Sequence, residues 1–165
     1  MSENTELSEI DKELESFISG LQSLLMATVS DQGFPEISYA SYIEVDRKFY
    51  IFISELASHT KNLLKNSNAS VMFIEDESQA SHSFARKRLT LTCEASRISR
   101  DNQLFEILIE KMQLRFGNLI ETLRHLNDFH LFELRPLTGQ YVAGFGKTYE
   151  INISTGQLKL LKPDI

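Results

Sequence analysis

Ser58, His59, Thr60 and Lys61 lead a polar stretch, Ser54 to Asn66, that directly follows an apolar run, Phe49 to Ile53. A strand that delivers hydroxyls, an imidazole and an ammonium to the start of a short helix makes an anion site. The free N–H groups and the positive end of the helix dipole both point at whatever docks there. A phosphate or a carboxylate is the expected guest, and the ordinary alternative is that Ser58 or Thr60 simply caps the helix. Arg86, Lys87 and Arg88 form the densest positive run in a chain of net charge −6, and Arg88 shares a strand face with Thr90. That run is read either as a solvated surface paired with Glu75, Asp76 and Glu77, or as the counter-charge for an acidic group on a ligand.

The four histidines are His59, His82, His125 and His130. Each is a candidate imidazole donor, and His130, in step with Phe132 and Leu134, reads as a packed or hydrogen-bonded residue of a strand. Cys93 falls on the apolar side of its strand and reads as a small core residue before a nucleophile. Gly144-Phe-Gly146 lacks the glycine spacing of a nucleotide fingerprint and reads as a bend between strands. Glu75 to Glu77 has no spaced partner for acid–base or metal chemistry and reads as a solvated turn. No Ser/His/Asp or Cys/His spacing singles out a catalytic residue.

The elements that position these groups follow from periodicity. Leu7, Ile10, Leu14, Phe17, Ile18 and Leu21 recur at helical spacing, predicting an N-terminal helix over residues 1–21. Strands are predicted at 24–29, 36–43, 49–53, 70–74 and 88–99, then at 129–134, 140–143, 148–153 and 157–161, with a helical pair between Asp101 and Leu123. Residues 88–99 alternate, with Leu89, Leu91, Cys93 and Ala95 inward and Arg88, Thr90, Thr92 and Glu94 outward. Many short strands with few helices predict an α+β chain in which 22–165 form one domain built round an antiparallel β-barrel.

At 165 residues and 42% hydrophobic content the chain has enough apolar matter for its own core. The acidic balance argues against nucleic acid or an anionic membrane as partner, and no apolar run approaches the roughly 20 residues of a membrane span. A single cysteine fits a reducing cytoplasm.

Five segments, Ile53 to Leu63, Ile74 to Glu77, Phe84 to Thr90, Asp128 to Phe132 and Gly144 to Gly146, occur in an order and at separations that closely resemble the HugZ/HutZ-type haem-utilisation proteins. These belong to the pyridoxamine-phosphate-oxidase-like, FMN-binding split barrels. The resemblance runs from about Leu24 to Tyr149 and implies a split-barrel homodimer that binds haem near the subunit interface, with oxidative opening of the ring as the possible enzymatic step, in which the haem would carry the oxygen chemistry and an external reductant would supply the electrons. It assigns cofactor contacts to Ser58, His59, Thr60, Lys61, Arg86 and Arg88, with Arg88 on the distal side of the haem. Asp128 matches the aspartate that supports the family's axial histidine. That histidine has no match, because none follows His130 in these residues; His59, beside the anion-site motif, is the substitute candidate for the iron, with a Tyr or Met ligand or no axial ligand as the alternatives. The alternatives are an FMN-dependent oxidoreductase and a non-catalytic binding or stress protein of the same fold. For FMN, the second strand reads Glu36-Ile-Ser38 where the oxidases place a phosphate-gripping arginine, at Ser38, while the Ser58/Lys61 element is kept.

Overall fold

The computed structural model describes residues 3–162. Helix α1 (Glu3–Gly20) is followed by an antiparallel meander, β1 (Ser23–Val29), β2 (Pro35–Val45) and β3 (Lys48–Ser54). Asp46 (φ 51°) and Arg47 (φ 61°) make the two-residue turn from β2 to β3, where both central positions must be left-handed to match the strand twist. Then come α2 (Ser58–Lys65), β4 (Asn68–Ile74), a 3₁₀ turn (Ser83–Ala85), β5 (Arg88–Ile98), α3 (Gln103–Phe116) and α4 (Leu119–Leu123). β6 (Phe129–Gly144), β7 (Lys147–Ile151) and β8 (Leu158–Leu160) complete the chain.

Six antiparallel strands close in the circular order β1-β2-β3-β6-β5-β4, with β4 returning to β1. Closure removes the exposed strand edges that would otherwise pair with other chains. Inward side chains, among them Leu24, Met26, Tyr42, Ile51, Phe73, Leu89, Leu91 and Phe132, fill the barrel, and Ile10 and Ile18 of α1 join them. The helix is held by polar ties as well, since Tyr42 donates its hydroxyl to the Ile18 carbonyl and Lys87 pairs with Glu13 at 2.5 Å. A second core lies outside the barrel, where Phe105, Leu108, Ile109 and Met112 of α3 pack on Ile43, Tyr50, Ile98 and Leu131.

The two strands expected at 129–134 and 140–143 are one strand. β6 changes neighbours along its length: Phe129–Leu134 pairs with β3, and Gly139–Gly144 pairs with β7, while β5 lies along the other side throughout. Pro136 stands at the change, beside a register shift opposite Thr92 and Cys93. A residue without an N–H is tolerated where one ladder has ended and the next has not begun. Pro136 and Gly139 therefore mark the barrel's split, not the end of a strand. The alternation along β5 is as predicted, and Cys93 is buried, with its thiol pushed up to about 12 by desolvation. Gly144-Phe-Gly146 is the bend from β6 to β7, with Gly146 at φ 71°. Among the described residues no helix is long and apolar enough to cross a membrane.

Candidate functional site

α2 begins at Ser58, as the spacing predicted, but neither Ser58 nor Thr60 caps it. The N-cap is Ala57, which makes no side-chain hydrogen bond to the helix. The first N–H groups of α2 therefore lack a side-chain acceptor, and Thr60 is fully buried with an Oγ1 that meets no partner among the described residues. The helix start opens into a pocket lined by Glu36, Ile37, Ser38, Ala57, Ser58 and His59. Two long-range bonds hold the helix over β1 and β2: buried Asn62 donates through Nδ2 to Thr28 Oγ1 and to Glu36 Oε2, both at 2.9 Å. Glu36 and Asn62 had no signal in the sequence, because their role depends on a strand and a helix meeting across 26 residues.

Half-buried His59 has its imidazole held below the usual histidine value by desolvation, so the ring is neutral near pH 7. It is also the histidine whose ring nitrogens engage no described protein group. His82 Nδ1 accepts the Phe84 N–H at 3.2 Å, His125 contacts Glu121 at 3.2 Å, and His130 is paired with Glu55. His130 is thus hydrogen-bonded at the end of its strand, in the manner its pattern allowed. Asp128 lies beside it in sequence and accepts the Ser54 hydroxyl at 2.6 Å, which joins the end of β3 to the start of β6.

The positive run sits elsewhere. Arg86 uses Nε and Nη2 to clasp the carbonyl of Glu75, Lys87 is paired with Glu13, and Arg88 gives Nη1 to the Arg86 carbonyl at 3.2 Å. Arg86 is therefore engaged by the backbone, while most of the Arg88 fork meets no partner among the described residues. Next to the run is a groove of about 740 Å³ lined by His82, Phe84, Lys87, Gly144 and Phe145. Phe84 and Phe145 are 82% and 87% exposed, and the sequence showed them only as apolar residues isolated in polar surroundings.

Strand register fixes the separation of the two clusters. On the outer barrel face, Tyr39, Leu25, Met72, Thr90 and Gln140 form one row across β2, β1, β4, β5 and β6. Ile37 lies one row to one side and Arg88 one row to the other. Four residues along the strands and three strands across make roughly 20 Å between the α2 pocket and Arg88. No hydrogen bond or ion pair joins the two clusters among the described residues. The face between them carries Ile37 at 79%, Tyr39 at 70% and Leu25 at 36% exposure.

Comparison with known proteins agrees with this architecture. Residues 10–143 match the model of the pyridoxamine 5′-phosphate oxidase family. The curated haem oxygenase HutZ of Vibrio cholerae is 41% identical over 143 residues, 87% of this chain and 81% of that protein. The crystal structure of HutZ, described as a haem storage protein, superposes with a TM-score of 0.74 over 76% of this chain and 89% of the other. Campylobacter jejuni ChuZ superposes with a TM-score of 0.84 at 34% identity, over 93% of this chain and 63% of ChuZ.

Proposed function

The chain belongs to the pyridoxamine 5′-phosphate oxidase family, and from that premise we propose that it is a haem-iron utilisation protein, cytoplasmic, that binds haem where two copies meet. The observation that carries the reading is the separation of an imidazole-bearing pocket from an arginine-bearing edge by an exposed apolar band, Ile37, Tyr39 and Leu25. An apolar band this exposed is costly on a lone chain, and a two-fold axis through it brings the α2 pocket of one copy toward the arginine edge of the other. One flat, amphipathic ligand can then touch both.

The residues present suit such a ligand. His59 is a neutral imidazole with free ring nitrogens, the form in which histidine donates to iron. Lys61, on the exposed side of α2, and Arg88 are cations able to offset propionate charge by charge-assisted hydrogen bonds. Ser58 contributes a hydroxyl at the helix start, whereas the Thr60 hydroxyl is buried away from the pocket; Arg86 holds the loop that carries Arg88, and Asp128 keeps one carboxylate oxygen free of described partners. When bound, haem supplies its own oxygen chemistry with electrons from an external donor, and the chain's part is to hold and orient it.

Titrating haemin into the protein tests the proposal. A Soret band saturating at one haem per protomer is expected, with a dimer in analytical ultracentrifugation. His59→Ala should lose the imidazole-type ferric spectrum, while His82→Ala and His125→Ala keep it. Haemin uptake no different from that of an unrelated protein would sink the reading, and an unchanged His59→Ala spectrum would remove His59 as the ligand.

A further inference from the structure

The structure assigns to Glu36 the role of a specificity determinant that denies the α2 pocket to phosphate, and so sets this chain apart from the flavin-binding use of its fold. The inference rests on reading the α2 start as a ligand pocket. Glu36 lines it together with Ser38, Ser58 and His59. An uncapped helix start of this kind is an anion site when its surroundings are neutral or positive.

Here the surroundings are not. Asn62 is buried, and its one amide nitrogen bridges Thr28 Oγ1 and Glu36 Oε2. That tie holds the carboxylate at the pocket wall. Ser38, at the position where the resemblance expects a phosphate-gripping arginine, donates weakly to the Met26 carbonyl at 3.4 Å and supplies no positive charge. His59 adds none, since desolvation favours its neutral form. A dianionic phosphate entering this pocket meets a fixed negative charge and no lining cation, since Lys61 is exposed on α2 outside the pocket wall. A neutral or iron-coordinating group meets no such penalty. The pocket thus keeps the helix geometry of an anion site and reverses its preference.

Glu36→Gln is a conservative probe, because the amide oxygen of glutamine still accepts from Asn62 and only the charge is removed. Ser38→Arg adds the missing cation. FMN and riboflavin, which differ by the phosphate, are titrated into the parent, the single variants and the double variant, with quenching of flavin fluorescence as the readout and thermal melts to confirm folding. The parent should bind FMN no more tightly than riboflavin. The ratio of the two affinities should move toward FMN by roughly tenfold in Glu36→Gln, as expected for removing a like charge across a contact, and further in the double variant. A parent that already prefers FMN tenfold, or a folded Glu36→Gln whose ratio equals the parent's, would overturn the inference. Ser38→Arg alone separates the missing cation from the charge of Glu36: a full gain in that variant, with none in Glu36→Gln, also overturns it. Haemin titration of the parent reports on the proposed function separately, since absence of haem uptake combined with a phosphate gain in Glu36→Gln would reject that function and leave the role of Glu36 standing.

Discussion

The α2 pocket and the Arg86–Arg88 run differ in a way that formal charge conceals. The pocket has a group without a described partner, the His59 imidazole, yet it contains its own anion in Glu36. The run has three cations in sequence, yet Arg86 is spent on the Glu75 carbonyl and Lys87 on Glu13, which leaves Arg88 as its most available donor. Availability, more than charge count, decides which groups can meet a ligand, and buried or backbone-bonded groups are already committed. One region offers an unshared electron pair, and the other offers unshared donors. A ligand with a metal centre and acidic edges needs both, which is why the roughly 20 Å between them matters.

The largest expected effect comes from that band. Ile37→Asp with Tyr39→Asp places charge on side chains that are 79% and 70% exposed in one chain, so folding should survive. If the band is where two copies meet, ultracentrifugation at micromolar concentration should show monomer, and haemin affinity should fall by at least roughly tenfold, as for charge buried at an interface. A variant that stays dimeric with parental affinity would break the link between the two regions.

A smaller effect separates the arginines. Arg86→Ala removes a forked contact to a backbone carbonyl and should lower the unfolding free energy by about 1–3 kcal/mol in urea titration. Arg88→Ala and Lys61→Ala should melt close to the parent while weakening haemin by roughly tenfold, the loss of one charge-assisted hydrogen bond. The reverse result, with Arg88→Ala unstable and Arg86→Ala defective only in binding, would exchange their roles.

The smallest effect sharpens the account of His59. Its folded-state value lies below that of the unfolded chain because burial disfavours the imidazolium. The unfolded state then binds the extra proton more readily. The contribution of His59 is complete above the ordinary value of about 6.5 and is lost as pH falls through it toward the lower folded value. Thermal melts from about pH 8 to about pH 5.5 should show a shallower decline on the acid side for His59→Gln than for the parent. Parallel curves would mean that the ring is not desolvated in the folded protein.

Much of this was legible in the residues. The alternation at Leu89, Leu91, Cys93 and Ala95, the stripe from Leu7 to Leu21 and the bend at Gly146 are local signals, read over a few positions. β6 misled because Pro136 and Gly139 carry the marks of a strand end, and only the exchange of β3 for β7 explains their presence inside a strand. The candidate site was half legible: His59 and Lys61 stand at a helix start as expected, and the distance from them to Arg86 and Arg88 within one chain is set by strand register.

The sequence by itself determined the helices, nearly all the strands, which side of each strand faces inward and which residue types are present to bind an acidic or iron-bearing ligand. Side-chain periodicity and turn chemistry act between near neighbours, so they survive without the fold. Tertiary structure alone decided that Glu36 is tied to Asn62 across 26 residues, that Ser54 meets Asp128 across 74, and that His130 meets Glu55 across 75. It also decided that the two half-sites stand apart. Such meetings depend on strand register and barrel closure, and a one-residue slip would turn Glu36, Ser54 and His130 to the other face of their strands.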